Sequence, residues 1–340
     1  MTRRTLASAL CLLLVALPPA LLQSPPAAAG APGLYVALGD SIAAGIGSSL
    51  PRTRSYPALV HDWLEALNGT TLPYVNLGTP GETASSFVAG EQLANFRAEV
   101  ERAADAGLPV SAVTVSLGGN ELLNERSSSL SDRQAALDEF RGSLAQALAA
   151  IRGAVGPDVP VVLTTYYDVS EGDPTQVFTD AWWIEQFNQA IRNEGEQIGA
   201  RVAALEPVFA GRLAELTRYP IDVHPTNQGF RAIAEAIWRA LDFDQVAPTV
   251  EIRSPETAQR RTPTLSFTAA DAVGVAAVVV TVDDIALTAI ETGPGEYVTL
   301  LRIAPGAMSA TVVIEVSDVA GNVQRQEQQV RVEATGEGTS

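Results

Sequence analysis

The sequence predicts a two-part protein in which an α/β sandwich is followed by a smaller all-β sandwich. Between residues 34 and 241, apolar runs alternate with amphipathic segments. Such alternation is typical of a parallel sheet that carries helices on both faces through right-handed crossovers. After Phe243 the chain continues as short β-rich runs separated by turns, which is typical of a β-sandwich. The change of pattern places a domain boundary near residue 244.

The first part is predicted to contain five strands and five helices. The apolar runs lie at residues 34–38, 72–77, 112–117, 159–165 and 201–205. Several are apolar nearly throughout, as expected of strands that are covered on both faces. The amphipathic segments lie at residues 56–67, 91–106, 131–155, 180–199 and 227–241. We therefore expect a three-layer sandwich with a flavodoxin-like parallel sheet, in which ligands bind at the carboxyl ends of the strands.

The second part is predicted to contain six short strands. They lie at residues 249–253, 264–270, 275–282, 297–303, 310–316 and 323–332, and turn signals such as Asp318–Asn322 separate them. We expect an α/β domain at residues 31–244, a linker at 245–248 and a β-sandwich at 249–334. The small polar residues at 335–340 are expected to be a disordered tail.

The first 30 residues are expected to form a secretory signal peptide. Two arginines precede an apolar run at residues 6–22, and three alanines at 27–29 offer a small-residue cleavage site. Prolines interrupt the run, which is short for a membrane-spanning helix. We expect cleavage near Ala29–Ala31 and a secreted protein. Because the single cysteine, Cys11, lies in this segment, the mature chain is expected to hold no disulfide.

Composition excludes several classes of partner and cofactor. The formal net charge of −17 argues against nucleic acids and anionic membrane surfaces as partners. The chain has no lysine, so the lysine-dependent phosphate-binding loop is missing. Its two histidines, His61 and His224, stand far apart, and without a mature cysteine they do not make a zinc site. We expect no cofactor and no metal.

Ser41 is the candidate nucleophile. It lies in the stretch GDSIAAG, directly after the first predicted strand, where an α/β enzyme displays such a group. A serine hydroxyl needs a base to take its proton, and His224 lies in the segment DVHP before the last predicted helix. A nucleophile near the start, a histidine near the end and an acid beside it indicate an acyl-transfer site.

Four short blocks carry a family resemblance. They contain Ser41 in GDSIAAG, Gly81 in NLGTPGET, Asn120 in SLGGNE and His224 in DVHP, in that order after successive strands. This set resembles the GDSL, or SGNH, hydrolase family over about residues 34–241. The resemblance implies a serine nucleophile at Ser41 and a general base at His224. It also implies an oxyanion hole formed by the backbone N–H groups of Ser41 and Gly81 and the side-chain amide of Asn120.

The sequence departs from the family pattern at two positions. The third block of the family commonly ends in aspartate, and here it ends in Glu121. The catalytic aspartate of the family commonly stands three residues before the histidine, and here that position is Ile221. We expect Asp222, two residues before His224, to orient the imidazole. The alternative is a serine–histidine dyad in which a backbone carbonyl holds the ring.

The other candidate residues have structural interpretations. Asp40 is expected to cap the helix that begins at the nucleophile. We expect His61 on a helix surface. Trp183 is expected on a helix face against the core, with a place over the acyl pocket as the alternative. The tyrosine pair at residues 166–167 follows the fourth strand and is placed to line that pocket.

The sequence as a whole predicts a secreted serine carboxylic ester hydrolase that works through an acyl-enzyme. Its substrate would be a lipid, an acylated sugar, a short-chain ester or another small or polymer-linked ester. The second part resembles bacterial immunoglobulin-like or fibronectin-type modules, in which a phrase like Asp318–Asn322 recurs as a hairpin turn. We expect a monomer whose second part is either a spacer or a weak adhesion domain that contacts a cell surface or a polysaccharide. The alternative function is a non-catalytic adhesion protein on a degenerate hydrolase fold.

Overall fold

The α/β part consists of one sheet and its flanking helices. A computed structural model describes residues 32–125, 128–254 and 256–333, so the predicted signal peptide and tail lie outside the described residues. The strands are β1 Leu34–Gly39, β2 Tyr74–Asn76, β3 Val110–Ser116, β4 Val161–Thr164 and β5 Arg201–Ala203. The helices are α1 Ser41–Ala44, α2 Pro51–Arg54, α3 Tyr56–Asn68, α4 Ala84–Ala89, α5 Glu91–Asp105, α6 Gly119–Asn124, α7 Leu130–Val155, α8 Asp180–Gln197, α9 Glu206–Phe209, α10 Leu213–Leu216 and α11 Asn227–Leu241.

The five strands form one parallel sheet in the order β2-β1-β3-β4-β5, which is the flavodoxin-like order. Helix α3 packs against α11, and α7 packs against α5 and α8. These two groups are the helical layers of the sandwich. The sandwich fold is confirmed, and the parallel order brings the carboxyl ends of all five strands to one edge.

The observed edge strands are shorter than the apolar runs that predicted them. Leu72 and Leu205 belong to those runs and are buried, yet they lie outside the ladders of β2 and β5. An apolar side chain at the end of an edge strand can pack on the core without joining the hydrogen-bonded ladder. Apolar runs therefore mark burial better than they mark the ends of strands.

The second part forms two sheets that face one another. Its strands are β6 Thr249–Ile252, β7 Thr257–Ala258, β8 Thr264–Ala270, β9 Val275–Val282, β10 Ile285–Leu287, β11 Ile290–Gly293, β12 Glu296–Leu300, β13 Ser309–Asp318 and β14 Val323–Val332. The sheets run β10-β9-β13-β14-β7 and β11-β12-β8-β6, and all pairs are antiparallel except β14 with β7. Side chains from both, such as Phe267 and Ile314, share one buried core. The predicted small β-sandwich is thereby confirmed.

The two parts are packed together at their junction. Val319, in the β13–β14 turn, is buried in the same apolar cluster as Trp238 and Leu241 of α11. The side-chain amide of Asn322 donates a hydrogen bond to the backbone oxygen of Asp244, 3.0 Å away. The turn between β13 and β14 therefore serves both as a hairpin and as a contact with the α/β part. No helix in the described part of the chain is long and apolar enough to cross a membrane.

Candidate active site

Ser41 stands where β1 turns sharply into α1. Gly39 has a φ of +127°, and a Cβ there would lie 2.1 Å from the backbone oxygen of Ser116, so only glycine fits. The Asp40 carboxylate accepts a hydrogen bond from the Ile42 N–H at 2.9 Å and caps the helix, as predicted. As the first residue of α1, Ser41 has an N–H with no acceptor inside the helix.

Asp40, the residue before Ser41, is buried. Its carboxylate accepts hydrogen bonds from the Tyr166 hydroxyl at 2.6 Å and from the Ser116 hydroxyl at 3.3 Å. Burial raises the pKa of Asp40, and these hydrogen bonds offset only part of that effect. Tyr166 and Ser116 thus tie the turn that carries the nucleophile to β3 and to the loop after β4. Sequence reasoning placed Tyr166 near the pocket but did not identify this bond.

A buried glutamine holds the backbone just before the nucleophile. Gln92 accepts a hydrogen bond from the Gly39 N–H at 2.7 Å and donates one to the Gly39 oxygen at 3.0 Å. It also donates to the Glu82 carboxylate at 2.8 Å, which links the loop after β1 to the loop after β2. Gln92 occupies an inward position of the amphipathic helix α5. A polar residue on that apolar face was the sequence signal that could have identified it.

Ser41, His224 and Asp222 form a continuous hydrogen-bonded chain. The Ser41 Oγ lies 2.7 Å from His224 Nε2, and His224 Nδ1 lies 2.6 Å from Asp222 Oδ1. The two-residue spacing suffices because this segment is a loop, in which Asp222 Oδ1 also accepts the backbone N–H of His224 at 3.3 Å. The geometry therefore favours the carboxylate over a backbone carbonyl as the group that orients the ring.

The charge of Asp222 suits that position. Partial burial acts to raise its pKa, but the hydrogen bonds from the ring and backbone of His224 outweigh burial and lower the pKa below its ordinary value. Asp222 is therefore ionised at neutral pH. An ionised carboxylate at Nδ1 fixes the ring tautomer that leaves Nε2 free to accept the serine proton.

The loop that carries the histidine is held from two sides. The Tyr167 hydroxyl donates to the backbone oxygen of Val223 at 2.6 Å. On the other side, Gly47 has a φ of +102°, and a Cβ there would lie 2.4 Å from the Pro225 oxygen and 3.0 Å from the His224 Cβ. The loop between α1 and α2 and the loop that carries His224 thus fit together only with glycine at position 47.

The two remaining oxyanion-hole candidates lie in linked loops. Asn120, in α6, lines the cavity at Ser41, and its Nδ2 donates to the Glu82 oxygen at 2.7 Å. An amide nitrogen carries two hydrogens, so a second donor remains on the same atom. Gly81 precedes Glu82 and has a φ of +86°. Asn120 therefore holds the loop that contains Gly81, although Gly81 itself is not among the residues that line the cavity.

Glu121, the position at which the family commonly has aspartate, is largely buried. Its Oε1 accepts the backbone N–H of Ala84, the first residue of α4, at 2.7 Å. Its Oε2 is buried and has no hydrogen-bond partner among the described residues. Burial is the main cause that raises the pKa of Glu121 to about 7. The longer side chain therefore connects the third block to α4 and titrates near neutral pH.

A cavity of about 910 Å³, measured with its open mouth, lies beside Ser41. Ser41, Asn120 and His224 lie on its wall. The rest of the wall is largely apolar and includes Leu122, Leu123, Tyr167, Val169, Trp183, Ile184 and Phe187. Trp183 and Phe187 are also buried in the core, so both interpretations of that helix face hold. Both tyrosines of the 166–167 pair line the cavity, as their position after β4 predicts.

His61 lies away from this site. Its Nε2 is 2.8 Å from the Leu72 oxygen, and its ring stacks on Tyr74 with the ring centres 5.0 Å apart. Leu72 precedes β2, so these contacts are at the amino end of the strands, opposite Ser41. The side chain is more buried than a surface position predicts, with 17% exposed, because the ring packs on Tyr74.

Comparisons with known proteins identify the family and proteins of similar fold. Residues 37–232 match the model of the GDSL-like lipase/acylhydrolase family. No curated protein sequence matches the chain. An acetylxylan esterase from Geobacillus stearothermophilus is similar in fold, with a TM-score of 0.50 and 20% identity over 64% of this chain and 98% of that chain. An α/β hydrolase from the metagenome of Lake Arreo, Spain, gives a TM-score of 0.46 and 22% identity over 63% and 96%. Since the family model covers more than half of the sequence, this chain belongs to the GDSL-like lipase/acylhydrolase family and is a carboxylic ester hydrolase.

Proposed function

We propose that the protein hydrolyses carboxylic esters through an acyl-enzyme on Ser41. His224 Nε2 takes the proton as Ser41 Oγ attacks the ester carbonyl, and Asp222 stabilises the imidazolium that forms. The same proton passes to the departing alcohol. Water, deprotonated by His224, then attacks the acyl-enzyme and releases the acid. The observation that carries this proposal is the hydrogen-bonded chain of serine, histidine and aspartate at the mouth of a cavity.

The developing oxyanion would be bound by three donors. The Ser41 N–H, the second hydrogen of Asn120 Nδ2 and the Gly81 N–H are the groups assigned to it. Each fixed donor is worth roughly 3–4 kcal/mol in the transition state, because it needs no reorganisation during the reaction. In the acetylxylan esterase of similar fold, replacements of a serine and of a histidine by alanine are described as catalytic mutants. That description agrees with the roles proposed for Ser41 and His224.

The cavity favours an ester with an apolar acyl chain. Most of its lining surface is apolar, and Leu122, Leu123, Ile184 and Phe187 contribute to it. Polar side chains, among them Glu125, Arg133 and Asp168, also line the cavity, so an acylated sugar is the competing substrate class. Each methylene buried there contributes about 0.8 kcal/mol, or roughly a fourfold gain in kcat/KM. The alcohol half of the ester would lie towards the open mouth, where the protein places less restriction on its size. A medium-chain acyl ester is therefore the substrate class that we propose.

A chain-length series tests this assignment. We expect kcat/KM for p-nitrophenyl esters to rise from acetate to at least hexanoate. Replacing Ile184 by tryptophan should fill the cavity and move the preference back towards acetate. The matched control is Val177→Trp, because Val177 is exposed and does not line the cavity. A preference of the unmodified enzyme for acetate would instead favour an acetylated sugar as the substrate.

We also propose that the protein is secreted, that its second part contacts a cell surface or polysaccharide, and that it is a monomer. The sequence of residues 1–30 supports secretion with cleavage near Ala29–Ala31, which N-terminal sequencing of the exported protein would test. The resemblance of residues 249–334 to immunoglobulin-like or fibronectin-type modules supports contact with a cell surface or polysaccharide. A monomer is expected, and light scattering of the purified protein would test that state.

A further inference from the structure

Three aspartates from separate segments meet where the two parts of the protein join. Asp244 follows α11, Asp271 lies between β8 and β9, and Asp318 ends β13. One carboxylate oxygen of each lies within 4.8 Å of the other two. Asp244 is 4% exposed and Asp318 is 1% exposed, and Asp271 is partly buried. Three acidic groups are thus brought together, two of them out of contact with water.

Turn formation accounts for both oxygens of Asp318, whose Oδ2 accepts a hydrogen bond from the Asn322 side-chain amide at 2.9 Å, but for only one oxygen of Asp244. Asp318 Oδ1 accepts the N–H of Gly321 at 2.7 Å, and Asp271 Oδ1 accepts the N–H of Gly274 at 2.9 Å. Asp244 Oδ1 accepts the N–H of Val246 at 3.2 Å. The second oxygen of Asp244 is buried and has no hydrogen-bond partner among the described residues. A buried carboxylate oxygen without a donor is costly, and its cost calls for a ligand.

The charges of the cluster are not balanced by protein cations. Among the residues that the structure describes, no arginine comes within 4.0 Å of these three carboxylates. Arg239 lies beside Gly321, but its guanidinium group pairs with Glu235 at 3.8 Å. The three carboxylates repel one another, because one oxygen of each lies within 4.8 Å of the other two. A bound cation would remove this repulsion and would give the unpartnered oxygen of Asp244 a ligand.

We propose that Asp244, Asp271 and Asp318 bind a Ca²⁺ ion that fastens the two parts of the protein together. Ca²⁺ prefers oxygen ligands, takes about 6–8 of them and tolerates irregular geometry, as three carboxylates from different turns would impose. Mg²⁺ demands near-octahedral geometry and keeps its water, and Zn²⁺ prefers nitrogen and sulfur. Because Asp244 precedes residues 245–248 and the other two ligands follow them, the ion links both sides of the junction.

A second acidic group in the structure lacks these features. Asp62 and Glu65 lie near His61, with carboxylate oxygens close enough to share an ion. The Asp62 side chain is 62% exposed, and His61 Nε2 already contacts the Leu72 oxygen at 2.8 Å. None of these three residues has a buried oxygen without a partner among the described residues. The aspartate cluster at the junction is therefore distinguished by burial and by its unpartnered oxygen.

The test uses the full chain, freed of metal with a chelator and titrated with CaCl₂ by isothermal calorimetry. We expect one ion per chain and a thermal midpoint that rises with Ca²⁺ concentration. Asp244→Asn should weaken Ca²⁺ binding by about tenfold or more, because affinity follows the charge of the ligand set. The matched control is Asp242→Asn, which removes an exposed carboxylate two residues away and should bind as the unmodified protein does.

A second readout separates binding from folding. Without Ca²⁺, Asp244→Asn should unfold at the same temperature as the unmodified protein or above it, because the substitution removes a buried repulsion. Asp271→Asn, at the less buried position, should lose Ca²⁺ affinity by a similar factor. The proposal is overturned if Ca²⁺ neither binds nor raises the thermal unfolding midpoint at CaCl₂ concentrations up to ~10 mM. That concentration lies above the dissociation constants of the weakest calcium-binding modules. Unchanged affinity in both variants, or equal affinity for Mg²⁺, would also overturn it.

Discussion

At the scale of single residues, the two ring nitrogens of His224 define the site. Nε2 lies 2.7 Å from Ser41 Oγ and Nδ1 lies 2.6 Å from Asp222 Oδ1. The sequence could predict all three residues because each lies in a block beside a strand or helix end. It favoured Asp222 as the orienting group and kept a backbone carbonyl as the alternative, because a spacing of two residues does not say where a loop points its side chains. The hydrogen bonds from the histidine to Asp222 supply that information.

Replacing Asp222 by asparagine should lower kcat by about 10³–10⁴-fold with little change in KM, because the amide stabilises the wrong ring tautomer. Steady-state kinetics on a soluble ester measures both constants. The matched control is Asp62→Asn, which changes the acid beside His61 and should leave kcat unchanged. A loss below about tenfold, or ~1.4 kcal/mol, would point to a backbone carbonyl as the orienting group.

Glu121 should make stability depend on pH. Its pKa of about 7 in the folded state lies above the ordinary value of 4.5. Below about pH 4.5 it is protonated in both states and has no effect, whereas above pH 7 its charge destabilises the fold by on the order of 3 kcal/mol. The free energy of unfolding of Glu121→Gln, compared with that of the unmodified protein, should therefore increase as pH rises from 4.5 to 7.

Thermal unfolding at pH 5 and pH 8 measures this difference. The Tm of Glu121→Gln minus that of the unmodified protein should be larger at pH 8. Glu196→Gln, at an exposed position of α8, is the control and should show no such change. Equal differences at the two pH values would show that Glu121 is ionised in the folded protein at both.

At the scale of elements, strand and helix positions in the α/β part followed from apolar periodicity. Helix α11 was predicted at its observed bounds, because Thr226 caps its start and Asp242, with a φ of 53°, ends it. Short helices such as α4 and α6 were not predicted, because four to six residues are too few to show a period. The hydrogen bonds of Gln92 and Tyr166 to the turn that carries Ser41 were not predicted, because they join segments that are distant in the sequence.

The fit between the α1–α2 loop and the histidine loop predicts an effect of Gly47→Ala. The new Cβ would lie 2.4 Å from the Pro225 oxygen, so the histidine loop must move. We expect kcat to fall by about 10²-fold, since a shift of about 1 Å in a catalytic group has that effect. The control is Gly69→Ala, at a helix end with a φ of +61° and nothing within 4 Å of its Cβ.

The control separates strain from displacement. Both glycines have positive φ, so both substitutions should lower Tm by straining the backbone. Only Gly47→Ala should also lower kcat. Comparable kcat values for the two variants would mean that the loop that carries His224 accommodates the extra carbon without moving the base.

At the scale of the whole molecule, the sequence predicted two parts but not the contact between them. The change of composition near Asp244 is visible in the sequence and marks the boundary. The burial of Val319 with Trp238 and Leu241 is not visible there, because it depends on the position of the β13–β14 turn in the folded protein. The site is independent of this contact, since every residue that lines the cavity precedes position 225. The second part therefore contributes packing at the junction and none of the cavity wall.

A chain that ends at Asp244 should still hydrolyse soluble esters, with kcat/KM close to that of the full chain. Its Tm should be lower by roughly 5 °C or more, because each large apolar side chain uncovered at the junction costs about 1.5–3 kcal/mol. Thermal unfolding and p-nitrophenyl ester kinetics measure the two effects. Loss of activity in a folded truncated chain would mean that the second part supports the active site.

The central claim is that Ser41 is the nucleophile of an ester hydrolase. Mass spectrometry after reaction with a fluorophosphonate tests it most directly, because that reagent phosphonylates the activated nucleophile of a serine hydrolase. We predict one adduct per chain, on the peptide that contains Ser41, with hydrolysis lost in proportion. The Ser41→Ala protein should take no label and lose about 10³-fold or more in kcat. An adduct on another residue, with ester hydrolysis retained by a folded Ser41→Ala protein, would contradict the account.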